Sequence, residues 1–258
     1  MRIVDLSVPI VDNLPVDPPT TFAKFEYEPH TSDRSLKSYM NLFPGLEQKD
    51  IPDGEAWAME YVTLSTHIGT HIDAPWHFAS TMNHGESAWT IDQMPLDWCI
   101  GDGVVVDATD RPDGYIMTPQ DFQDYFQKIG YTLKAGDIVL LHTTAQKNWG
   151  KKEYLVTGCG VGRDATIWLS QQGVRLVGTD AWSWDAPLSL VAKRYRETHD
   201  PSIIWEGHKA GRECIYFQIE KLNNLDQIPK FGFTFCAFPI KIEKAGGGWC
   251  RAVAFVDE

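Results

Sequence analysis

Basic residues are scarce in this sequence. Its 23 lysines and arginines are outnumbered by 35 aspartates and glutamates, which gives a formal net charge of -12 at pH 7. Nucleic acids and anionic membranes require a basic protein face, so we expect neither as the main partner. The acidic excess fits a soluble enzyme with a small-molecule substrate.

Cysteine and long apolar runs are also in short supply. The chain has five cysteines, an odd and widely scattered set, which fits neither a disulfide framework nor paired zinc-binding cysteines. Near the start, Asp5 interrupts the sequence before an apolar run of signal-peptide length, and no later stretch approaches the length of a membrane span. We therefore expect a reducing compartment and a cytoplasmic protein.

The length and the element pattern predict one mixed domain. The 258 residues suffice for a single large core, and we expect one domain over residues 1–258. Buried-strand patterns at 104–106 and 138–141 alternate with helical ones, among them a helix beginning at Thr118 and Pro119 and ending at Gly130. Strand patterns return towards the end, so the fold class is mixed α/β or α+β. Residues 20–57 show little periodicity and are predicted to form a long ordered loop.

One segment concentrates the chemistry of the chain. Residues 66–78, which we call the donor segment, contain His67, His71, Asp73 and His77, in a chain with only eight histidines. Imidazole nitrogen and carboxylate oxygen are ligand atoms for zinc and other first-row divalent ions. His67, His71 and Asp73 are therefore a candidate set of metal ligands.

These three side chains require a bend to converge. In a straight strand, at about 3.3 Å per residue, the α-carbons of His67 and His71 would lie about 13 Å apart, too far to share an ion held at about 2 Å. Gly69 is the expected bend, because glycine adopts backbone angles that other residues avoid. Pro75 is expected to end the strand.

The donor segment resembles a known signature. The pattern His67-x-Gly-Thr-His71-x-Asp73-x-Pro-x-His77-Phe is similar to that of the cyclase-family metal-dependent hydrolases, which include bacterial kynurenine formamidases and isatin hydrolases. Weaker similarity follows in the expected order at residues 5–10, 136–140, 177–180 and 220–229.

The resemblance implies further properties. Such proteins have a swivelling β/β/α fold and form dimers or tetramers, so a homodimer or homotetramer is expected. The matching positions imply that His208 and Glu220 complete the metal site and that His77 moves protons. The strand pattern independently indicates that Glu220 shares a face with Tyr216 and Gln218, so Gln218 is a candidate substrate contact or supporting residue.

The donor set leaves the metal open. The ion is zinc or manganese, both of which accept nitrogen and oxygen ligands, and either one ion or two ions bridged by Asp73 fit the residues. A bound divalent ion lowers the pKa of water from 15.7 to about 7 and polarises a carbonyl. Amide hydrolysis also needs a proton for the departing nitrogen. His77, with an unperturbed pKa of about 6.5, is the candidate shuttle; a fourth ligand or a hydrogen-bonded core histidine is its alternative role.

The substrate is expected to be aromatic. Trp76 and Phe78 lie in the donor segment and, with Gln218, are candidate substrate contacts, which favours an N-formylkynurenine-like or isatin-like amide. The function predicted from the sequence is hydrolysis of a carbon–nitrogen bond in an aryl formamide or cyclic amide. A lactone hydrolase, a metal-dependent cyclase or lyase, and a binding protein with a structural metal remain as alternatives.

Overall fold

The structure, a computed structural model, describes residues 1–257 and contains a large mixed sheet, small two-stranded ribbons and helices. The strands are β1 (Arg2–Asp5), β2 (Lys24–Glu28), β3 (Met59–Thr63), β4 (His71–Asp73), β5 (Thr81–Met82), β6 (Glu86–Ser87), β7 (Ile100–Asp107), β8 (Ile116–Met117), β9 (Ile138–His142), β10 (Gly160–Val161), β11 (Leu176–Thr179), β12 (Phe217–Glu220), β13 (Phe233–Cys236), β14 (Gly247–Trp249) and β15 (Val253–Val256). The α-helices are α1 (Asp33–Leu42), α2 (Pro75–Phe78), α3 (Pro119–Ile129), α4 (Arg163–Gln171), α5 (Leu188–Thr198) and α6 (Glu206–Lys209).

Nine strands form the main sheet in the order β1-β15-β13-β7-β9-β11-β12-β4-β14. The four central strands, β7, β9, β11 and β12, run parallel to one another, and the pairs on either side of them are antiparallel. Helical segments connect the parallel strands, as such crossovers require. The mixture of parallel and antiparallel pairs confirms the predicted α/β class.

Alternating side chains divide the interior into two cores, one on each face of the sheet. The first core includes Ile72, Val105, Leu140 and Phe217. The second core contains the alternate residues of the central strands, which face the opposite side of the sheet and are covered by α3 and α4. The strands contribute Val104, Val106, Val139 and Leu141, and the helices contribute Phe122, Phe126, Ala165 and Leu169. On β4 and β12 the positions facing the second core are polar, and these positions form the site described below.

Helix α3 follows its sequence signals closely. The Thr118 hydroxyl accepts a hydrogen bond from the Asp121 backbone N–H, and the Asp121 carboxylate accepts one from the Thr118 N–H, which forms a reciprocal cap. Gly130 ends the helix in the left-handed conformation, at φ 67°.

The expectation of a loop over residues 20–57 was wrong. This range contains strand β2, which pairs with β3, and the ten-residue helix α1. Ser32 caps α1 by accepting a hydrogen bond from Ser35 N–H. The prediction overlooked a helical pattern in α1: Leu36 is buried, and Tyr39 and Met40, three and four residues further on, pack partly buried in the same cluster.

None of the helices in residues 1–257 has the length and apolar character needed to cross a membrane.

Candidate metal centre and its cavity

Pairing between β4 and β12 brings the two halves of the candidate site together. In this antiparallel pair Asp73 lies opposite Gln218, and His71 lies opposite Glu220, so side chains 145 to 149 residues apart in sequence become neighbours. All four side chains are at least nine-tenths buried. Because residues two apart on a strand share a face, the four polar side chains point to the same side of the sheet.

The bend expected at Gly69 is present. Gly69 has φ 65°, in the left-handed region that favours glycine. The chain turns there, and His67 comes back to Asp73, with 2.6 Å between His67 Nδ1 and Asp73 Oδ1. His71 Nε2 lies 3.1 Å from the same carboxylate oxygen. Only residues 71–73 form a strand in this segment, and the helix α2 begins at Pro75.

Strand β14, which begins with two glycines, pairs with β4 of the donor segment. Gly247 of β14 lies opposite Asp73 of β4, and a Cβ atom at position 247 would lie 2.8 Å from Cε1 of His67. That separation is shorter than van der Waals contact, so a side chain at this position would displace the His67 imidazole. Glycine at 247 therefore allows the backbone to approach the candidate ligand closely.

His208 reaches the site from helix α6 and is oriented by Asp185. His208 Nδ1 lies 2.5 Å from Asp185 Oδ2, and its Nε2 lies 3.7 Å from Asp73 Oδ2 and 3.5 Å from Glu220 Oε1. Asp185 also accepts hydrogen bonds from the backbone N–H groups of Gly207 and His208, at 2.8 and 3.0 Å. Burial alone would lower the pKa of His208, but Asp185 and then Asp73 outweigh it and raise the pKa to about 10.

Gln218 lies between the two carboxylates beneath the site. Its Nε2 lies 3.2 Å from Asp73 Oδ2, 2.9 Å from Glu220 Oε1 and 2.8 Å from His208 Nε2. The Tyr216 hydroxyl lies 3.1 Å from Gln218 Oε1. Tyr216, Gln218 and Glu220 therefore share one face, as the sequence alternation predicted.

These residues form two clusters that suggest a metal site. His67, Asp73 and His77 make one cluster, and His71, Asp73 and Glu220 make the other; in each, the potential ligand atoms lie within 4.8 Å of one another. Asp73 belongs to both. Histidine and carboxylate ligands are those expected for zinc or manganese.

The state of His71 supports this assignment. His71 Nδ1 lies 2.9 Å from the carbonyl oxygen of Gly69, a contact in which Nδ1 must donate and which directs Nε2 towards the carboxylates. This buried Nε2 has no hydrogen-bond partner among the described residues, although Asp73 Oδ1 is 3.1 Å away. A buried imidazole nitrogen and a carboxylate oxygen at this distance are stabilised by positive charge between them, which a bound cation would supply. The donor set therefore fits a divalent ion.

The two carboxylates differ in their electrostatic surroundings. Burial would raise the pKa of Asp73, but the surrounding histidines, His71 first, hold it well below its usual range. Burial, together with the charge of Asp73, raises the pKa of Glu220. Two buried acids so close together are stabilised by additional positive charge, which a divalent ion would supply.

His77 lies at the edge of the two clusters and borders a cavity. Its Nε2 is 3.9 Å from Asp73 Oδ2, and its ring centroid is 3.9 Å from that of His67. About a quarter of the side chain is exposed. Burial, reinforced by neighbouring histidines, lowers the pKa of His77 to about 4, so the imidazole is neutral at pH 7 and able to accept a proton.

The cavity beside the clusters has a volume of about 280 Å³. Its polar wall includes four of the residues singled out from the sequence, His67, His77, His208 and Glu220. Its remaining wall is largely apolar, formed by residues that include Pro18, Ile68, Trp182, Leu188 and Trp205.

The three expected substrate contacts lie elsewhere. Trp76 is half exposed and borders a separate surface cavity with Thr90 and Lys244. Phe78 is buried against Tyr216, with 4.9 Å between ring centroids, and Gln218 is buried among the candidate ligands. Trp76 fails to reach the cavity because α2 turns the chain immediately after Pro75.

Sequence reasoning did not identify the tryptophans that line this cavity. Trp182 and Trp205 line the cavity from segments 100 or more residues away from the donor segment, and no local pattern marks either of them. The buried Lys221 also borders the cavity; its Nζ donates to Asp17 Oδ1 at 2.5 Å and to the carbonyl oxygen of His67 at 2.8 Å. Through these two contacts Lys221 connects the loop between β1 and β2, which contains Asp17, to the donor segment.

Asp185 provides a first test of the metal centre. Replacing it with asparagine (Asp185→Asn) keeps its size but removes the charge that fixes the His208 ring, so we expect metal affinity to fall about 10- to 100-fold. Competition with a chelating dye measures the affinity, and thermal unfolding of the metal-free protein reports any general loss of stability. Asp200→Asn is the matched control, because Asp200 is exposed and its carboxylate accepts a hydrogen bond from the nearby N–H of Ser202. Unchanged affinity in Asp185→Asn would contradict the assigned role.

The sequence of this chain is similar to those of known proteins. Residues 4–186 match the family model described as "Putative cyclase". A kynurenine formamidase from Erythrobacter litoralis is 29% identical over 197 residues, which cover 74% of this chain and 74% of that protein. An isatin hydrolase from Roseibium aggregatum is 25% identical over 223 residues, covering 79% of this chain and 77% of that protein.

Solved structures agree with the fold. An isatin hydrolase bound to the product analogue thioisatinate superposes with a TM-score of 0.76 at 21% identity, covering 99% of this chain and 92% of that one. Isatin hydrolase A from Labrenzia aggregata, bound to benzyl benzoate, gives a TM-score of 0.72 at 25% identity, with coverage of 100% and 94%. The fold class predicted from the sequence is thereby confirmed.

Proposed function

The chain belongs to the cyclase family of metal-dependent hydrolases, and from this premise we propose that it cleaves the carbon–nitrogen bond of an aryl formamide or a cyclic aryl amide, of the N-formylkynurenine or isatin class. One observation carries the proposal: two imidazole–carboxylate clusters share the buried Asp73, and their members His67, His77 and Glu220 line one cavity.

The residues that would hold the metal are His67, His71, Asp73, His208 and Glu220. The proposed ion is zinc or manganese, as one ion or as two ions sharing Asp73. When bound, the metal would supply an acidified water molecule and polarise the substrate carbonyl. Asp185, Gln218 and the Gly69 carbonyl fix the orientation of these ligands through the hydrogen bonds described above.

His77 is the proposed proton shuttle. Its imidazole is neutral at pH 7 and lies at the cavity wall, so it can accept a proton as water attacks the carbonyl carbon. The imidazolium formed in this way then donates that proton to the departing nitrogen, which would otherwise leave as an unstable amide anion. The carboxylate of Asp73, 3.9 Å from His77 Nε2, favours this transient positive charge.

Two features of the relatives support the choice of bond. Kynurenine formamidase and isatin hydrolase, the names of the two relatives, both describe hydrolysis of a carbon–nitrogen bond next to a carbonyl. In one solved isatin hydrolase the ligand, thioisatinate, is an analogue of the product. The apolar, tryptophan-containing wall of the cavity in this chain suits substrates that carry an aromatic ring.

Elemental analysis combined with a substrate panel tests the proposal. The purified protein is analysed for zinc and manganese and assayed against N-formylkynurenine, formanilide, isatin and a set of lactones. We expect at least one equivalent of divalent metal and hydrolysis of an amide, with one oxygen from ¹⁸O-labelled water incorporated into the acid product. Turnover of lactones alone would favour a cyclic-ester hydrolase, and product without solvent oxygen would favour a cyclase or lyase.

A further inference from the structure

Two tryptophans form part of the cavity wall beside the candidate metal centre. Trp182 follows β11, and Trp205 immediately precedes α6. Both indoles are held in place: Trp182 Nε1 donates to Asp17 Oδ1 at 2.8 Å, and the Trp205 ring stacks on the His208 imidazole with 4.2 Å between centroids and 18° between planes. The aromatic wall therefore exists before any substrate arrives.

Trp205 adopts an unfavourable backbone conformation. Its φ of 59° and ψ of 40° lie in the left-handed region, which a bulky side chain rarely occupies and which glycine or asparagine accepts easily. Strained residues of this kind cluster at binding and catalytic sites, because the surrounding structure holds them for what the side chain contributes. The observed strain therefore points to a role for the indole itself.

The position of the indole suggests what that role is. Its centroid lies 5.1 Å from the ring of His77, at an interplanar angle of 77°, while the same indole stacks on His208. A substrate ring that packs against Trp205 thus lies next to both the proposed proton shuttle and a proposed metal ligand. An aromatic ring in that position would be oriented relative to the reacting groups.

The size of the cavity restricts the substrate further. At about 280 Å³ it lies at the lower limit of small-molecule sites, which span about 300–1,000 Å³. One or two fused rings fit such a volume. Planar rings gain from offset-stacked or edge-to-face contact with an indole, a gain that a saturated ring of the same size does not share.

We propose that Trp205 is a specificity-determining residue that selects aryl amides over alkyl amides of equal size. This inference rests on the proposed amide hydrolysis and assigns its substrate preference to one side chain. The ring–ring contact predicts a preference of about 3- to 10-fold in kcat/KM.

The test compares two formamides with six-membered rings. Formanilide and N-cyclohexylformamide are assayed with the metal-loaded wild type, Trp205→Phe and Trp205→Leu. Each variant's ratio of kcat/KM values is divided by that of the wild type, which cancels the intrinsic difference between the two leaving groups. We expect Trp205→Leu to lose about 3- to 10-fold of the aryl preference, mainly through KM for formanilide. Trp205→Phe should keep most of the preference.

A second variant distinguishes substrate selection by the Trp205 indole from a purely structural role of that side chain. In Trp205→Asn the left-handed backbone is no longer strained, so we expect the thermal midpoint to stay the same or rise while the aryl preference is lost. A lower midpoint with an unchanged preference would show that the indole only packs, and would overturn the inference. Trp57→Leu is the matched control, because Trp57 packs edge-on against Tyr39 and is not part of the cavity wall.

Different results would overturn the proposed function and the role of Trp205. If the wild-type holoenzyme hydrolyses none of the amides, N-formylkynurenine and isatin included, the proposed function is overturned, and this inference with it. If the wild type is active and Trp205→Leu has the wild-type ratio, this inference alone is overturned.

Discussion

Asp73→Asn should leave the protein unable to retain its divalent ion and should reduce amide hydrolysis to the rate of buffer alone. The Asp73 carboxylate is fully buried and is the one group shared by both clusters, 2.6 Å from His67 and 3.1 Å from His71. Asparagine keeps the volume but removes the charge and one acceptor oxygen. Each cluster then loses a proposed ligand, so the loss of affinity should exceed the roughly 10- to 100-fold expected for a supporting residue such as Asp185.

The measurement is metal content per chain after dialysis against limiting zinc or manganese, together with the rate on the best amide found. Asp92→Asn is the control, because Asp92 belongs to neither cluster and its carboxylate accepts hydrogen bonds from the Thr90 hydroxyl and the Lys244 N–H. A variant Asp73→Asn that still carries the wild-type number of ions would show that Asp73 is not a ligand and would contradict the assigned metal site.

The sequence predicted the local part of this site because its ligands lie close together along the chain. His67, His71 and Asp73 fall within seven residues, and the only local deformation they need is a bend at Gly69, which glycine indicates by its own conformational freedom. The alternation at Tyr216, Gln218 and Glu220 was also predictable, since a strand's period of two does not depend on its partner.

Contacts between segments far apart in the chain could not be predicted from the sequence pattern. Nothing in either strand specifies that β4 pairs with β12 in the register that places His71 opposite Glu220. Only the family resemblance connected Glu220 and His208 with the donor segment. Asp185 could not be separated from the neighbouring turn residues because its role depends on the Nδ1 atom of a histidine 23 residues away.

The cavity wall was the least predictable part. Proximity in sequence favoured Trp76, yet the turn into α2 directs this side chain to a different surface, and two distant tryptophans line the cavity instead. Strand β14 was missed for a related reason. Its glycines lack the β-branched pattern of a strand, but Gly247 is required where the backbone passes against His67.

His77→Ala should lower the rate of amide hydrolysis by about 10²- to 10⁴-fold while leaving the metal in place. The reason is that removal of His77 takes away the group that accepts and returns the proton, whereas His71, Asp73 and Glu220 still form a complete cluster. Because a quarter of the His77 side chain is exposed at the cavity wall, free imidazole should enter the space it leaves and restore part of the activity. The rate with and without imidazole is measured on the same metal-loaded sample.

The metal content of this variant distinguishes the two roles open to His77. As a ligand, His77 would bind an ion together with His67 and Asp73, the other two members of its cluster. Its removal would then release that ion. As a shuttle it needs only to face the cavity with a neutral ring, which its burial and its pKa of about 4 provide at pH 7. Loss of metal without rescue by imidazole would therefore assign His77 to the ligands. His30→Ala, at an exposed histidine, controls for the loss of an imidazole elsewhere on the protein.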